Sequence, residues 1–326
     1  MKILVTAPYN KGAINYLEEN IGQVIYRPWK PHGRAYNEKE LLELLEETGA
    51  NALITEHDDV SSTVIRKNPA LEFIGVCRGT PSNVCLKTAE SLGIPVYNTP
   101  ARNAQAVAEM FLANVITLLR NTLSGIDWLE KGNWNKGAHT SYLHFKGNEL
   151  AGKTIGMVGF GAIGQRIAEM VKGFPCSIKY YDPFVDGEFS GCEKVSLEEV
   201  FAISDIVSIH LPVNDQTLRM IDGNLLNKMK KSALFVNTSR ASVVNREDLL
   251  SAIESGDIRG AYLDVFDHEP PDELDYRLIL HPNVLATPHI AGATHEVEDH
   301  HARIMNQKLN EVFALNSNQS SIAKKS

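Results

Sequence analysis

Three short polar stretches in the second half of the chain contain residues that could carry out chemistry. The first ends in Arg240, the second carries Asp264 and then Glu269, and the third contains His289. An Arg side chain can form two hydrogen bonds with one carboxylate, and a carboxylate beside an imidazole fixes its tautomer and favours its charged form. Arg240, Glu269 and His289 could therefore bind a carboxylic acid and transfer a proton. A surface salt bridge for Arg240 and a purely structural His289 are the alternatives at this point.

A glycine-rich stretch precedes these residues and predicts a nucleotide site. Gly159, Gly161 and Gly164 have the G-x-G-x-x-G spacing, between a short apolar run and a segment of helical periodicity. The first glycine permits a sharp turn, the second admits a pyrophosphate close to the backbone, and the third lets the helix pack on the strand. The helix begins near Ala162 and Ile163, where free N–H groups and the positive end of the dipole favour phosphate.

The choice of dinucleotide depends on the carboxylate that ends the next predicted strand, Ser177–Asp182. Asp182 lies 18 residues after Gly164, where an acid should bind the ribose diol. The same carboxylate would repel the 2′-phosphate of NADP, and the next five residues include no Arg or Lys. A glycine-rich tight turn is the alternative for the motif alone, but its context of strand, helix and acid favours an NAD site.

Elsewhere, apolar runs alternate with segments of helical periodicity. The predicted strands are Lys2–Ala7, Asn51–Thr55, Glu72–Val76, Pro95–Asn98, Ile155–Val158, Ser177–Asp182, Ile206–His210, Ala233–Thr238, Gly260–Val265 and Val284–Thr287. The predicted helices are Gly12–Glu19, Glu38–Thr48, Ser82–Leu92, Asn103–Leu119, Leu123–Gly132, Leu197–Ala202, Arg246–Ser255 and Glu296–Leu315, besides the helix of the glycine-rich motif. Such alternation is typical of an α/β fold, in which crossover helices join parallel strands.

The order of these elements predicts two Rossmann-like or flavodoxin-like parallel-sheet domains with a cleft between them. Only the second carries the glycine motif, so we assign residues 103–295 to an NAD-binding domain. The last helix is left over and can cross back, which makes residues 1–102 plus 296–326 a discontinuous substrate-binding domain. The segment Trp134–Phe145 is predicted to be irregular, and the polar tail Asn316–Ser326 to be disordered.

Composition restricts the class of protein. The 326 residues suffice for about two domains, and a hydrophobic content of 43% with 22% charged residues is typical of a soluble globular protein. The net charge of −8 argues against non-specific nucleic-acid binding. We expect no signal peptide and no membrane span. The four cysteines show no C-x-x-C spacing, which favours reduced thiols in a cytoplasmic protein without a metal site.

Together, the motifs resemble those of the D-isomer-specific 2-hydroxyacid dehydrogenases. The matching stretches, in the family's order, are Gly75-Val-Cys-Arg-Gly79, Gly159-Phe-Gly-Ala-Ile-Gly164, His210-Leu-Pro212, Asn237-Thr-Ser-Arg240, Leu263-Asp-Val-Phe266 with Glu269-Pro270, and Thr287-Pro-His-Ile-Ala-Gly292. Several independent motifs in register, over nearly the whole chain, make the resemblance specific. It implies an NAD-dependent oxidoreductase that interconverts a D-2-hydroxy acid and its 2-oxo acid, usually as a homodimer.

The resemblance also implies roles for single residues. Arg240 would bind the substrate carboxylate and polarise the 2-oxo group, His289 would be the acid in reduction and the base in oxidation, and Glu269 would orient His289 and raise its proton affinity. The implied cofactor contacts, beyond the glycine motif and Asp182, are His210, Pro212, Thr217, Thr238, Ser239, Arg240, Asp264, His289 and Gly292. Backbone N–H groups around Arg78, Gly79 and Thr80 would receive the substrate carboxylate.

The substrate loop departs from the family pattern, which weakens any assignment of the acid by analogy. Cys85 stands where an Asp is common, and Pro81 stiffens the turn. A phosphoglycerate-like substrate comes first because Arg78 could bind a second anion, although a structural Arg78 is an equal alternative. Hydroxypyruvate or glyoxylate comes next, and formate is disfavoured because Glu269 stands where that subfamily has Gln. A non-catalytic NAD-sensing protein is the rival class. We expect no room after the last helix for the regulatory domain of some phosphoglycerate dehydrogenases.

Overall fold

The structure, a computed structural model, describes the backbone of residues 1–135 and 137–323 and the side chains of 1–135, 137 and 139–314. It divides into two compact units, one of Met1–Asn103 with the chain from Thr294 onward, the other of Ala104–Ala293. Each unit is built on a sheet whose strand pairs are all parallel. The two parallel-sheet α/β units expected from the sequence are therefore confirmed.

The first unit contains a five-stranded sheet of order β2-β1-β3-β4-β5. Its strands are β1 (Lys2–Val5), β2 (Gln23–Tyr26), β3 (Ala52–Thr55), β4 (Ile74–Val76) and β5 (Val96–Asn98). Its N-terminal helices are α1 (Lys11–Asn20), α2 (Glu38–Thr48), α3 (Ser62–Lys67) and α4 (Leu86–Ser91). Of these, β2 and α3 are absent from the sequence prediction. The predicted helix from Ser82 begins only at Leu86, because the backbone before it bonds to Val60 on a neighbouring segment.

The second unit contains a seven-stranded sheet of order β12-β11-β10-β9-β6-β7-β8. Its helices are α5 (Ala104–Leu119), α6 (Thr122–Glu130), α7 (Ala138–His144), α8 (Ala162–Met170), α9 (Leu197–Ile203), α10 (Gly223–Leu226), α11 (Arg246–Glu254) and α12 (Glu273–Ile279). Its strands are β6 (Thr154–Val158), β7 (Ser177–Tyr181), β8 (Cys192–Lys194), β9 (Ile206–Ile209), β10 (Leu234–Asn237), β11 (Gly260–Leu263) and β12 (Val284–Ala286).

The order of this sheet reverses at its middle strand. From β6 the chain builds β7 and β8 on one side and then crosses to β9 on the other. In open parallel sheets a ligand binds beyond the carboxyl ends of the strands at such a switch point. The glycine-rich loop follows β6 and His210 follows β9, so both lie at the expected place.

Two predictions about irregular segments are wrong. The segment predicted to be irregular contains α7. The last helix, α13 (His295–Ala323), continues through residues 316–323, which the sequence predicted to be disordered; each added residue contributes one more hydrogen bond to a helix that is already formed. Residues 324–326 of that predicted tail lie outside the described part of the chain.

The helix α5 belongs to the core of the second unit. Phe111 and Val115 are fully buried and pack with Ile155 and Ile167 of the nucleotide-binding segment. Among the described helices, none alone is long and apolar enough to cross a membrane. The pair α5 and α6, bent by 63° at its break, meets that test of length and composition only when the two are taken together.

Candidate active site

The residues singled out in the second half of the chain follow the carboxyl ends of successive parallel strands. Gly159 follows β6, Asp182 follows β7, His210 follows β9, Thr238 follows β10 and Asp264 follows β11. Because parallel strands all end on the same side, one edge of the sheet carries every one of them. This shared edge is the candidate active site of the second unit.

Glu269 and His289 are in direct contact. The Nδ1 atom of His289 lies 2.9 Å from Oε1 and 3.1 Å from Oε2 of Glu269. An imidazole nitrogen that faces a carboxylate carries the proton, so this contact assigns the N–H to Nδ1 and leaves Nε2 for a partner. Both side chains are about half exposed, 48% for His289 and 50% for Glu269, so a substrate in solution can reach Nε2.

Asp264 holds the loop that carries His289. Its buried carboxylate accepts hydrogen bonds from the Thr287 hydroxyl at 2.5 Å and from the N–H groups of Ile290 at 2.9 Å and Ala291 at 2.8 Å. Its carbonyl oxygen accepts the N–H of His289 at 2.9 Å. His289 has a φ of +55°, a conformation uncommon for residues other than glycine, and these bonds on both sides maintain it. A contact of Asp264 with the cofactor stays a prediction.

Arg240 lies in a tight turn that Asn237 organises. The amide of Asn237 donates to the Arg240 carbonyl oxygen at 3.0 Å, and its Oδ1 accepts from the backbone N–H and hydroxyl of Ser239 at 3.0 and 2.9 Å. The Arg240 side chain is exposed, and its Nη1 donates to the Ser239 carbonyl oxygen at 2.6 Å. Sequence reasoning did not single out Asn237, although a buried Asn at a strand end signals such a turn.

Each glycine of the motif has a different structural environment. Gly159 has a φ of +91°, and a Cβ there would lie 2.6 Å from the His210 carbonyl oxygen. A Cβ on Gly164 would lie 2.9 Å from the Gly159 carbonyl oxygen, whereas a Cβ on Gly161 would meet nothing within 4 Å. Gly161 is also the N-cap of α8 and offers no side chain to its N–H groups. The second glycine therefore keeps open a space that faces a helix N-terminus.

Asp182 binds the glycine-rich loop itself. Its Oδ2 accepts the N–H of Phe160 at 2.7 Å, and its Oδ1 accepts those of Phe184 at 2.9 Å and Val185 at 3.2 Å. A carboxylate has about four acceptor positions, so these three bonds leave capacity for a ribose hydroxyl. The structure thus gives Asp182 a role in shaping the loop that the sequence did not indicate, and its contact with ribose stays a prediction.

Unpartnered buried polar atoms at this edge fit a bound dinucleotide. Within the described residues, both ring nitrogens of His210 and the hydroxyl of Thr238 are buried without a hydrogen-bond partner. Burial lowers the pKa of His210 to about 4, so the ring is neutral at physiological pH and offers one donor and one acceptor. Buried polar groups without partners are uncommon in folded proteins. A bound dinucleotide would supply hydrogen-bond partners for these atoms, and the open space at Gly161 would admit its phosphates. The residues present therefore fit a cofactor at the predicted place.

Two further predicted cofactor residues lie in adjacent turns. The hydroxyl of Thr217 donates to the Pro212 carbonyl oxygen at 2.6 Å and accepts the N–H of Asn214 at 2.9 Å, which closes the loop after β9. Gly292 lies in the turn after His289, where the N–H of Ala293 donates to the Ile290 carbonyl oxygen at 2.9 Å. Their roles toward the cofactor stay predictions.

The predicted substrate loop follows β4 in the first unit. The Thr99 N–H donates to the Arg78 carbonyl oxygen at 2.9 Å, and the Asn98 side-chain amide donates to the Gly79 carbonyl oxygen at 2.6 Å. These two hydrogen bonds hold the loop through its carbonyl oxygens. Arg78 Nη1 lies 3.3 Å from Nδ1 of His57. Within the described residues, the backbone N–H groups of Gly79 and Thr80 have no hydrogen-bond acceptor. Successive N–H groups of this kind can bind an anion.

A buried polar network lies at the same edge of the first unit, and sequence reasoning missed it. Arg102 Nη1 donates to Glu56 Oε1 at 2.5 Å and to Nδ1 of His301 at 2.9 Å, and His301 Nε2 donates to the Pro8 carbonyl oxygen at 2.7 Å. Burial raises the pKa of Glu56, but the hydrogen bond to His57 and the charge of Arg102 outweigh it and lower the pKa to about 2. Burial lowers the pKa of His301, so the network contains one carboxylate and one guanidinium.

Replacing Glu56 by Gln is expected to destabilise the first unit at neutral pH by up to about 3 kcal/mol. The folded-state pKa lies below the unfolded value, so the stabilisation is complete above about pH 4.5 and is lost as the pH falls toward 2. Urea unfolding at several pH values between 2 and 7, followed by circular dichroism, measures it. Glu43→Gln, which removes only an exposed pair with Lys39, is the control; an equal loss in both variants would contradict the prediction.

Comparison with known proteins places this site in context. The family model described as D-isomer specific 2-hydroxyacid dehydrogenase, NAD binding domain, matches residues 112–291. A Bacillus subtilis protein named as a candidate 2-hydroxyacid dehydrogenase, YoaD, is 57% identical over 95% of this chain and 90% of its own. The D-3-phosphoglycerate dehydrogenase of Methanocaldococcus jannaschii is 32% identical over 96% of this chain and 57% of its own. The solved structure of a D-2-hydroxyisocaproate dehydrogenase, 26% identical, has a TM-score of 0.81 over 97% of this chain and 98% of that one.

Proposed function

This chain belongs to the D-isomer specific 2-hydroxyacid dehydrogenase family and is an NAD-dependent oxidoreductase, and from that premise we propose that Arg240, Glu269 and His289 interconvert a small D-2-hydroxy acid and its 2-oxo acid. The observation that carries the proposal is the contact between Glu269 and Nδ1 of His289, which leaves Nε2 available to a substrate. Proton transfer by a positioned His is a common form of acid–base catalysis.

Each residue of the site has a defined task in this reaction. The glycine-rich loop and Asp182 would hold the cofactor, which would supply the hydride acceptor for C2 in oxidation and the hydride donor in reduction. His289 Nε2 takes the hydroxyl proton in oxidation and gives a proton to the carbonyl oxygen in reduction. Glu269 stabilises the charged imidazole, and Arg240 binds the substrate carboxylate and stabilises the negative charge that develops on the C2 oxygen. A hydride and a proton are thus exchanged together.

The two units have separate tasks in this proposal. Residues 103–295 form the NAD-binding domain, and residues 1–102 with 296–326 bind the substrate. The N–H groups of Gly79 and Thr80 support the second assignment, since they can receive the carboxylate of a 2-oxo acid. The preference for NAD over NADP is supported by the carboxylate of Asp182, which lies beside the glycine-rich loop.

Two substrate classes are supported by different observations. Arg78 at the substrate loop favours an acid with a second anion, such as phosphohydroxypyruvate. The contact of Arg78 with Nδ1 of His57 instead supports a structural Arg78, and with it a small uncharged acid substituent, as in hydroxypyruvate or glyoxylate. The proteins similar to this chain act on different acids by name, so similarity supports the reaction and leaves the acid open.

A panel of 2-oxo acids tests the proposal. Oxidation of NADH is followed with glyoxylate, hydroxypyruvate, pyruvate, 2-oxoisocaproate and phosphohydroxypyruvate, each with NADPH as the alternative cofactor. We expect turnover with NADH and a clear preference for one class of acid. Preference for the phosphorylated acid assigns Arg78 to a second anion, and preference for hydroxypyruvate or glyoxylate makes that residue structural. Tight NADH binding without turnover of any acid would favour a non-catalytic NAD-sensing protein.

We also propose that the protein is a homodimer. Large apolar side chains on and between α6 and α7 are about half or more exposed: Leu123, Ile126, Leu129, Trp134, Tyr142 and Leu143. Contiguous exposed apolar surface marks protein interfaces, and a second copy of this chain is the partner that the family resemblance implies. Sedimentation equilibrium at micromolar concentration measures the mass, and the mass of one chain would contradict the proposal.

A cytoplasmic location is part of the same proposal. It is supported by the cysteines Cys77, Cys85, Cys176 and Cys192, all of which are free thiols. Free thiols are the usual state in a reducing compartment. Cell fractionation with an antibody to the chain tests the location, and recovery outside the cytoplasmic fraction would contradict it.

A further inference from the structure

Glu269 lies on a short segment whose two ends are held by one guanidinium. Asp267 lies two residues before Glu269, and Asp272 is the N-cap of α12 three residues after it. Arg246, at the start of α11, reaches both: its Nε lies 3.4 Å from Asp267 Oδ2, and its Nη1 lies 2.9 Å from Asp272 Oδ2. The contact with Asp272 is a hydrogen bond, whereas Nε has no hydrogen-bond partner within the described residues and attracts Asp267 by charge alone. Arg246 therefore constrains both ends of the segment His268-Glu269-Pro270-Pro271, one by a hydrogen bond and the other by its charge.

The segment between these ends has little conformational freedom. Two of its four residues are prolines, whose rings fix φ. The N–H of His268 donates to Asp275 Oδ2 at 3.1 Å, and the other oxygen of Asp275 accepts from Arg246 Nη1 at 3.1 Å. The residue next to Glu269 is thus tied to the same guanidinium through a carboxylate that is only 1% exposed.

A second arginine supports Asp267. Arg219 Nη2 lies 2.6 Å from Asp267 Oδ2, and Arg219 Nη1 donates to the Val244 carbonyl oxygen at 2.6 Å. The side chain of Asp267 is 7% exposed and that of Arg246 is 17% exposed. Removing one member of such a pair leaves a poorly solvated charge, which costs far more than removing a surface salt bridge.

The Glu269 carboxylate itself has few other constraints. Within the described residues, His289 is its only hydrogen-bond partner, and half of the Glu269 side chain is exposed. Its position relative to His289 therefore depends on the segment that carries it. We propose that Arg246, acting with Asp267, is a positioning residue that holds Glu269 against Nδ1 of His289 and so sets how readily His289 transfers its proton.

Two other interpretations of this cluster predict different behaviour. One nitrogen or oxygen atom each from His268, Asp272 and Asp275 could coordinate a metal ion, and these atoms lie within 4.8 Å of one another. However, Arg246 already supplies the positive charge beside Asp272 and Asp275. A purely structural role, in which Arg246 only joins α11 to α12, would affect folding and not the proton transfer. The inference rests on the proposed function, because it needs His289 to be the acid and base of the reaction.

The chain contains a matched control for the structural interpretation. Arg277 on α12 pairs with Glu254 on α11 at 2.8 Å, so it joins the same two helices on their exposed side. Arg277→Gln removes one guanidinium from this helix pair and leaves the Glu269 segment untouched. Arg246→Gln removes the guanidinium that holds the segment, and Asp267→Asn weakens the same anchor with almost no change in shape.

A double-mutant cycle in kcat/KM for 2-oxo acid reduction tests whether Arg246 acts through Glu269. We expect Arg246→Gln and Asp267→Asn to lower kcat/KM about 10- to 100-fold, and Arg277→Gln to change it less than about twofold. In the Glu269→Gln background, Arg246→Gln should cost less than about threefold more, because the positioned carboxylate is already gone. If the two losses in kcat/KM multiplied in full in the double variant, Arg246 and Glu269 would act independently, and the proposal would be wrong.

The pH dependence gives a second readout that a structural role does not affect. A carboxylate beside an imidazole favours its protonated form, so displacement of Glu269 should move the alkaline fall of the reduction rate toward lower pH. Arg246→Gln should show this shift and Arg277→Gln should not. Arg246→Lys, which keeps the charge but cannot reach both ends of the segment, should lie between wild type and Arg246→Gln; an unshifted profile in all Arg246 variants would contradict the inference.

An NMR measurement separates this inference from the proposed function. The Nδ1–H proton signal of His289, assigned by its loss in His289→Gln, should shift in Arg246→Gln and in Glu269→Gln, because the hydrogen bond to the Glu269 carboxylate is displaced or lost. If the wild-type protein reduces no 2-oxo acid, the proposed function fails while this signal still reports the position of Glu269. A signal that shifts in Glu269→Gln but not in Arg246→Gln would refute the positioning role.

Discussion

Replacing His289 by Gln is expected to lower kcat/KM for 2-oxo acid reduction by about 10²- to 10⁴-fold, the usual contribution of a positioned acid–base group. Gln can still accept or donate a hydrogen bond, but it cannot give a proton to the C2 oxygen at neutral pH. His289 is only one of the implied cofactor contacts, and the nucleotide loop lies on other strands of the sheet, so the dissociation constant of NADH should change less than about threefold. The loss should therefore appear mainly in turnover and only slightly in cofactor binding.

Steady-state kinetics on the best acid of the panel and fluorescence titration with NADH measure the two quantities. His281→Gln is a suitable control, because within the described residues that side chain accepts one hydrogen bond, from the Asn283 N–H in a turn before β12, and makes no other. His289→Gln activity above about a tenth of wild type would fall outside the range expected for the acid and base. The residue would then not be the proton donor.

Replacing Gly161 by Ala is expected to weaken NADH binding about 10- to 100-fold while leaving the protein stable, which corresponds to about 1.4 to 2.7 kcal/mol of binding free energy. The backbone at Gly161 has a φ of −75°, which any residue adopts, and a Cβ there meets nothing within 4 Å. In the absence of cofactor the added methyl group should be harmless. It would occupy the space through which a pyrophosphate approaches the helix N-terminus.

Gly159→Ala is the contrasting variant of the same motif. Its φ of +91° and a Cβ 2.6 Å from the His210 carbonyl oxygen should destabilise the second unit by about 2 kcal/mol or more, as well as weaken NADH binding. Thermal unfolding and NADH titration of both variants, with Gly173→Ala as a control in open space, measure the difference. If Gly161→Ala bound NADH as wild type does, the phosphates would not lie over that residue.

The elements that the sequence predicted well are those whose signal is local. The strand, glycine-rich turn and helix from β6 to α8 are specified by a continuous apolar run, three spaced glycines and a clear helical period. The alternation of such elements was also sufficient to predict two parallel sheets. Each of these inferences needs only neighbouring residues, because backbone geometry and periodicity act over a few positions.

The elements that the sequence missed are short. The helices α3, α10 and α12 contain four to seven residues, and helices of this length are stabilised by packing more than by their own hydrogen bonds. The omission of α12 mattered for the site, since its first turn carries Asp272 and Asp275, which anchor the Glu269 segment to Arg246. No local pattern distinguishes these acids from ordinary solvent-exposed ones.

The sequence by itself determined which residue types were available at the strand ends: the glycines, Asp182, Arg240, Glu269 and His289. Only the tertiary structure decided which of them meet. Glu269 and His289 are 20 residues apart, and Arg102 and His301 are 199 apart, yet each pair is within hydrogen-bond distance. Parallel strands bring such residues to one edge because all their ends point the same way, and the loops beyond that edge, held by Asp264 and Arg246, determine the final contacts.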